Sequence, residues 1–432
     1  MKKSATPKNR GYKPMKSGYL PVIKAHSGII SAAFLLMVFS GFGQSVFIGV
    51  FLPDIQHYFS IDKTTLGSIY AAATICSAAL MAWSAKLLDQ IQLRKFITLI
   101  LIGLAIGCAL MGTAFHPVML FAAFLCLRQF GQGLMTLAGT TMINRYIEDG
   151  KGRAQSITQN GMPLHGALFP LAATIILNTY GFTASWLGYA GFVLFGLVPF
   201  FWFFLRAHEE KTHKAWSQRM AEKEAATPIG ALSDEWTRKR VLSDWRFYII
   251  MAVMVIGPCF GTAIFFYQTT IAESLGLSPT LFTTGFIVFT IASVTAALIA
   301  GAVMDNYGEA YLLTSFPIIY ALGLVLLAGA SGLTSLYIAL IMIGIAGGIM
   351  SITGGPLFAK MYGTKHFASI KSLHFIAIIL ASAISPPLCG FMLDSGFEIS
   401  EILYYFAIYS ALAWIIILFC IKTITTKKVL SA

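Results

Sequence analysis

The stretch Val118–Ile143 reads VMLFAAFLCLRQFGQGLMTLAGTTMI, and Arg128 is its only formal charge. At about 1.5 Å per residue, a helix of this length crosses a hydrocarbon core of about 30 Å. Backbone in hydrocarbon finds no water, so it must close its hydrogen bonds within a helix or a sealed barrel. The alternation of apolar and polar residues that marks a barrel strand is absent, which leaves a helix. An arginine midway along it costs roughly 2.5–3.5 kcal/mol even on the gentlest insertion scale, and should face a protein interior or a water-filled cavity. No carboxylate lies in the span to pair with it.

Runs of the same kind recur along all 432 residues. They fall at about 28–52, 66–88, 96–114, 118–143, 154–177 and 184–205, then at about 246–271, 280–303, 310–330, 334–358, 369–393 and 401–421. The chain is 57% apolar and 11% charged, whereas soluble domains carry about 25% charged residues. The expected fold is an all-α membrane protein of twelve transmembrane helices in two six-helix repeats. Residues 1–27 form a basic cytoplasmic tail, 28–206 the first bundle, 207–245 a cytoplasmic linker, 246–422 the second bundle and 423–432 a cytoplasmic C-tail. Pro228 and Gly230 break the polar linker. The run from Gly28 to Leu52 has no small-residue cleavage site, so a removable signal peptide is not expected.

A net charge of +12 would suggest nucleic acid in a soluble chain. No basic stripe with interleaved aromatics appears here, and the positive-inside rule accounts for the charge. Of 30 Lys and Arg, 28 fall in the two tails, the loops after spans 2, 4 and 10, and the central loop with its edges. The intervening loops hold Lys63 alone, and the last basic residue is Arg128. Both termini are therefore expected in the cytoplasm, with the protein in the cytoplasmic membrane of a bacterium. One missed span would scramble this alternation. The six cysteines lie in apolar stretches with no C-x-x-C pair, and read as small buried hydrophobes.

The halves repeat at an offset of about 215 residues. Phe42-Gly43 followed by Gly67 recurs as Phe260-Gly261 followed by Gly285. AKLLDQ at 85–90 answers to GAVMDN at 301–306, and GLMTLAG at 133–139 to GIMSITG at 348–354. Their shared order and spacing indicate a duplicated six-helix unit. At the same offset the counterpart of Arg128 is Ile343, so the halves share a scaffold but not this group.

On these residues the chain resembles the major facilitator superfamily over nearly its whole length outside the tails and central loop. That family's loop 2–3 signature, roughly G-x-x-x-D followed by basic residues, looks like Ala85-Lys-Leu-Leu-Asp89 with Arg94 and Lys95. Alanine stands for the first glycine and the basic pair is compressed. The second-half copy, Gly301-x-x-x-Asp305-x-x-Gly308, keeps the glycines and lacks the basic residues. The resemblance implies a conformational latch of Asp89, Arg94, Lys95 and Asp305, with a small residue at 85 admitting a neighbouring helix. The family's span-4 signature, loosely R-x-x-x-G-x-G, looks like Arg128-Gln-Phe-Gly131-Gln132-Gly133, shortened by one. Asn160-Gly161-Met162-Pro163 echoes the Gly-Pro motif of drug/proton antiporters without its downstream paired glycines. Gly390-x-x-x-Asp394, with Gly396 nearby, is similar to branches that carry monocarboxylates.

In such transporters the substrate site lies near the midplane, between the halves. Arg128 is about ten residues, or ~15 Å, below the outer end of span 4. His165 is about eleven residues along span 5, which runs the other way, so both should reach one level. Gln132 falls one turn from Arg128 on the same face. Gln44 in span 1 and Gln268 near the end of span 7 add amides in the two helices that correspond in the repeat. Tyr70 adds a hydroxyl, and Tyr267 and Asn160 are further polar candidates. His374 and the phenylalanines of spans 6 and 7 read as packing or lipid-facing.

All 18 acids fall in loops or at span ends, with Asp54 and Glu273 nearest to membrane depth. A cation carrier needs a buried acid, whereas an unpaired guanidinium binds a carboxylate through two parallel bonds. The expected function is therefore secondary transport of a small organic anion, with a monocarboxylate as the leading candidate, by alternating access. Arg128 would hold the carboxylate, and Gln132 and Gln44 would add hydrogen bonds. Any proton coupling must use His165, an end-of-span acid or protonation of the substrate. Efflux of amphipathic drugs is the alternative, and a non-transporting membrane sensor is a third reading. An enzyme is not expected: the eight histidines are scattered without metal-ligand spacing, and no G-x-x-x-x-G-K-[ST] loop is present. The expected partners are a small-molecule substrate, protons and lipid, with no nucleic acid and no cofactor. The oligomeric state is left open.

Overall fold

A computed structural model describes residues 19–147, 150–206, 236, 238–362 and 367–425. Residues 1–18 of the N-tail, linker residues 207–235 and residues 426–432 lie outside the described set, as do the side chains of Asp89 and Asp305. Twelve helices among the described residues are long and apolar enough to cross a membrane, and none of these residues forms a strand. Spans 1 to 6 start with Tyr19–Phe39, Lys63–Gln90 and Leu93–Thr113. They continue with Pro117–Tyr146, Lys151–Tyr180 and Phe182–Arg206. Spans 7 to 12 are Trp245–Phe266, Pro279–Tyr307, Glu309–Ala328, Leu333–Tyr362, Phe367–Asp394 and Ile399–Thr425.

Local chemistry sets where several of these helices start. Asp62 accepts from the Thr65 backbone N–H at 2.6 Å, and Ser278 Oγ accepts from that of Leu281 at 3.3 Å. These side chains take backbone donors that have no partner inside the helix. Pro117 and Pro279 occupy the first turns of spans 4 and 8, where a missing N–H costs nothing.

Span 1 departs from the sequence expectation chiefly at its outer end. Helical structure begins at Tyr19 but is kinked at His26 (φ −133°, ψ 25°), so the uninterrupted helix starts just after it, close to the expected residue 28. The short helical piece before the kink carries Lys24, whose stem can take its charge to water. The helix then stops at Phe39, turns through a 3₁₀ segment at Ser40–Gly43, and becomes extended at Gln44 (φ −87°, ψ 147°). Short helical pieces resume from Ser45. Span 7 is interrupted in the corresponding place, with a π-helical turn at Gly257–Gly261 and a second break at Tyr267.

Phe195 and Phe419 are 78% and 82% exposed, a surface suited to acyl chains rather than water. Inside the first half, aromatic rings tie span 1 to span 6, with Phe51 and Trp186 centred 4.7 Å apart. The two halves meet along spans 2 and 11 and along spans 5 and 8. At the outer ends, those opposite the basic loops, the seam is bonded. Tyr267 donates to the Pro386 carbonyl at 2.8 Å and to that of Lys63 at 3.3 Å. A Cβ on Gly67 would lie 2.7 Å from backbone atoms of Pro386 and Pro387, so the two backbones are in contact there. The protein is closed toward the outside.

Candidate substrate-binding cavity

The break in span 1 positions the site. Gly43 sits against the backbone of span 4 at Leu127, Gly131 and Gln132, with no room for a side chain. A Cβ on Gly131 would in turn lie 2.8 Å from Gly43 Cα. The facing part of span 4, Leu127–Leu134, is a π-helical turn. The wider turn re-aims side chains and loosens the regular ladder of backbone bonds, and such turns concentrate at functional sites. Two irregular backbones therefore meet at the level of Arg128. Irregular backbone at membrane depth is tolerated where it is buried in protein or lines a cavity.

Arg128 is only 4% exposed. Its Nη1 donates to the Gly43 carbonyl at 3.3 Å, longer than the roughly 2.7–2.9 Å of a strong charge-assisted bond. The guanidinium carbon lies 5.1 Å from the centre of the Tyr70 ring, a cation–π contact. Arg128 Nε has no hydrogen-bond partner. The charge is thus met by a carbonyl dipole and a ring face, and by no carboxylate among the described residues. Arg145, at the inner end of the same span, is also buried.

Arg128 lines a cavity of about 600 Å³ between the halves, within the roughly 300–1,000 Å³ of small-molecule sites. Gln44, Gln132 and His165 line it too. Gln44 Nε2 is buried without a hydrogen-bond partner. His165 Nδ1 donates to the Met37 carbonyl at 3.3 Å, which fixes Nε2 as the ring's remaining acceptor. Its Cβ would lie 2.8 Å from a Cβ on Gly41, so the one broken stretch of span 1 touches both His165 and span 4. Arg128 is the only formally charged side chain among the described lining residues, and none of them is an acid.

Two other candidates lie off the cavity wall. Tyr70 stands behind Arg128, fully buried, with its hydroxyl unpartnered. Gln268 is 1% exposed, and its Nε2 donates to the Val46 carbonyl at 2.8 Å and to that of Phe265 at 3.0 Å. That places Gln268 in the seam between spans 1 and 7, because the break at Tyr267 turns its side chain toward span 1. Tyr267 likewise belongs to the outer seam. Among the latch candidates, Arg94 lies over the Trp202 ring at 4.4 Å and Lys95 is exposed. The Asp89 and Asp305 side chains lie outside the described set. His374 packs on Phe358, with rings 5.2 Å apart.

Sequence reasoning missed the hydroxyls of Thr74, Ser77 and Thr136, and the wall formed by Phe265, Phe286 and Phe289. Phe265 had read as a packing or lipid-facing residue. Spacing carried a usable signal for the hydroxyls: Thr74 and Ser77 are one helical turn apart on span 2.

Comparison with known proteins bears on this arrangement. The family model described as Major Facilitator Superfamily matches residues 33–270 and 249–431. No curated protein gives a significant match. Among solved structures, a bacterial homolog of the human lysosomal transporter Spinster, inward-facing and occupied, is 12% identical with a TM-score of 0.67, covering 96% of this chain and 98% of that one. A POT family transporter in complex with 5-aminolevulinic acid is 15% identical with a TM-score of 0.69, covering 96% and 99%. A D-xylose-proton symporter is 13% identical with a TM-score of 0.68, covering 91% and 96%. At these identities the likeness is one of fold. Twelve spans in two repeats, a cavity between them and a family model spanning nearly the whole chain lead to one conclusion: this multi-pass membrane protein belongs to the major facilitator superfamily, and it is a transporter rather than an enzyme.

Proposed function

We propose that the protein is a secondary transporter of a small organic anion, a monocarboxylate, working by alternating access in the cytoplasmic membrane of a bacterium. One observation carries the reading. Arg128 is the single charged side chain among the described residues of the cavity wall, and its charge is only partly met by the Gly43 carbonyl and the Tyr70 ring. A buried cation without a counter-ion favours a ligand that supplies one.

The neighbouring groups support the same sign. Gln44 presents an unpartnered amide nitrogen, and Gln132 lines the cavity one turn from Arg128. A carboxylate bound here would accept from the guanidinium and from these amides, and would neutralise the buried charge. The halves could then rock about the bound anion, breaking the outer seam and closing the cavity on the other side. His165, on the same wall, is the titratable group placed to accompany the anion with a proton. The aromatic wall also fits efflux of amphipathic drugs, but no acid among the described lining residues offers the proton exchange such a pump uses.

The test is uptake of labelled small carboxylates, with a neutral sugar as comparison, into liposomes containing the purified protein. Hydrogen bonds to a charged group are worth about 1.5–3 kcal/mol. Arg128→Ala should therefore raise half-saturation roughly tenfold to a hundredfold or abolish uptake, and Arg128→Lys should lose the two-bond geometry. Full transport by both variants at normal expression would sink the anion reading, and ligand binding without flux would favour a sensor.

A further inference from the structure

The cavity wall is divided by chemistry along the line between the halves. Among the described lining residues, every nitrogen-bearing side chain comes from the first half: Gln44, Arg128, Gln132 and His165. The described lining residues of the second half supply none, only hydroxyls such as that of Thr290, which is already engaged with the Pro163 carbonyl at 3.2 Å. Large aliphatic and phenylalanine side chains show the reverse pattern, with ten described ones from the second half and three from the first. Phe265 stands edge-on to both Phe286 and Phe289, with centroids 5.4 and 5.5 Å away, so the apolar face is a packed aromatic surface.

The repeat makes the division sharper. At the offset of 215 residues that holds in span 4, Arg128 corresponds to Ile343 and Gln132 to Gly347, and all four line the cavity. Duplication thus placed equivalent positions on both sides of one space, and the sequence filled them with opposite chemistry. A small, fully hydrated anion would gain nothing from such a face, because burying an apolar wall against a polar ligand leaves both poorly satisfied.

Resting on the anion reading above, we propose that the substrate is an amphipathic carboxylate, with its head on Arg128 and Gln44 in the first half and its hydrocarbon or aromatic body on Phe289 and Ile343 in the second. The ligand then bridges the two halves through different forces. The charge is held by one bundle and the body by the other, so only a molecule carrying both ends ties the bundles together.

The test is competition by unbranched carboxylates of two to eight carbons, and by phenylacetate, in the reconstituted protein. Affinity should rise about three- to fourfold per added methylene, the increment of one buried CH₂, before levelling off. The ratio of octanoate to acetate affinity is the readout. Phe289→Ala should flatten it, as should Phe375→Ala, whose half-exposed side chain makes misfolding less of a concern. Arg128→Lys should weaken the whole series while leaving the slope. A flat series with carboxylates still bound overturns the amphipathic assignment and leaves the anion reading standing. A slope unchanged in both phenylalanine variants overturns it as well, because partition into lipid alone would produce that slope. Binding of none of these acids overturns the anion reading, and this one with it.

Discussion

Thr64 donates both its backbone N–H and its hydroxyl to one carboxylate oxygen of Asp394, at 2.7 and 2.6 Å. Thr64 opens span 2 in the first half, and Asp394 closes span 11 in the second. The other Asp394 oxygen accepts from the Lys63 N–H at 3.3 Å. A carboxylate from one half therefore caps a helix of the other, using donors that the helix itself leaves unsatisfied. Opening the outer side must break this cap.

Asp394→Asn should accordingly favour the outward-open arrangement. The amide keeps one acceptor but turns its NH₂ toward donors, and the charge that complements the helix terminus is lost. For partly exposed bonds about 1 kcal/mol is expected, which is a population change of roughly fivefold. Spin labels on the exposed outer positions His57 and Glu398 should report a larger long-distance fraction in the variant. An unchanged distance distribution would show that the cap does not hold the seam.

Asp62 caps the same helix from within its own half, and its role should differ. The hydrogen bond from Thr65 holds its carboxyl below the usual carboxylate range. A lowered pKa means that the contribution is present above the unfolded value of about 3.9 and lost as pH falls through the lower folded value. Between pH 5 and 8 the melting temperature should carry no signature of Asp62. At neutral pH, Asp62→Asn should melt close to the parent, because asparagine caps as well as aspartate. Asp62→Ala should melt lower, and the outer distances measured for Asp394→Asn should stay at the parent values.

Much of the fold was legible because membrane physics is blunt. Spanning length, backbone satisfaction and loop charge each have one reading, and together they yield twelve spans and the repeat. Arg128 stood out for the same reason, since charge at that depth is expensive. Gln268 shows where this reading stopped. Its span corresponds to that of Gln44 in the repeat, but a break at Tyr267 turned it into the seam, and a break one residue away cannot be heard in hydropathy. The phenylalanine wall was silent for a related cause: lipid-facing, core and substrate-facing phenylalanines satisfy the same hydropathy. Asp394 was visible as a span-end acid, but its partner is hundreds of residues away in sequence, across a seam that only packing defines.

Gln129 lies beside Arg128 in sequence and should behave unlike it. It is 5% exposed and bridges spans 4 and 2, accepting from Ser77 at 2.9 Å and donating to Ser84 at 2.8 Å. Such bonds inside membranes average about 0.6 kcal/mol and reach about 1.7. Ser84 also donates to the Leu80 carbonyl, so its loss is cushioned. Gln129→Leu should lower the thermal midpoint by a few degrees while leaving the substrate profile unchanged. A changed profile would mean that this bridge shapes the cavity.

Gly43→Ala should be far more damaging than its single added methyl suggests. The new Cβ would be driven into the backbone of Leu127 and Gln132, not into a side chain that can swing away. Overpacking of this kind costs about 1–3 kcal/mol, or more where nothing can yield. The added strain falls on the carbonyl that accepts from Arg128. Relief requires spans 1 and 4 to separate, which withdraws that carbonyl and displaces Gln44 at the next position. Transport should therefore fall further than stability does. Gly188→Ala is the control, because no atom lies within 4 Å of the added group, and it should express, melt and transport as the parent does. Comparing uptake per folded molecule in the two variants separates a role in the site from a general loss of packing. Equal uptake would mean that the close approach of the two backbones matters only for folding.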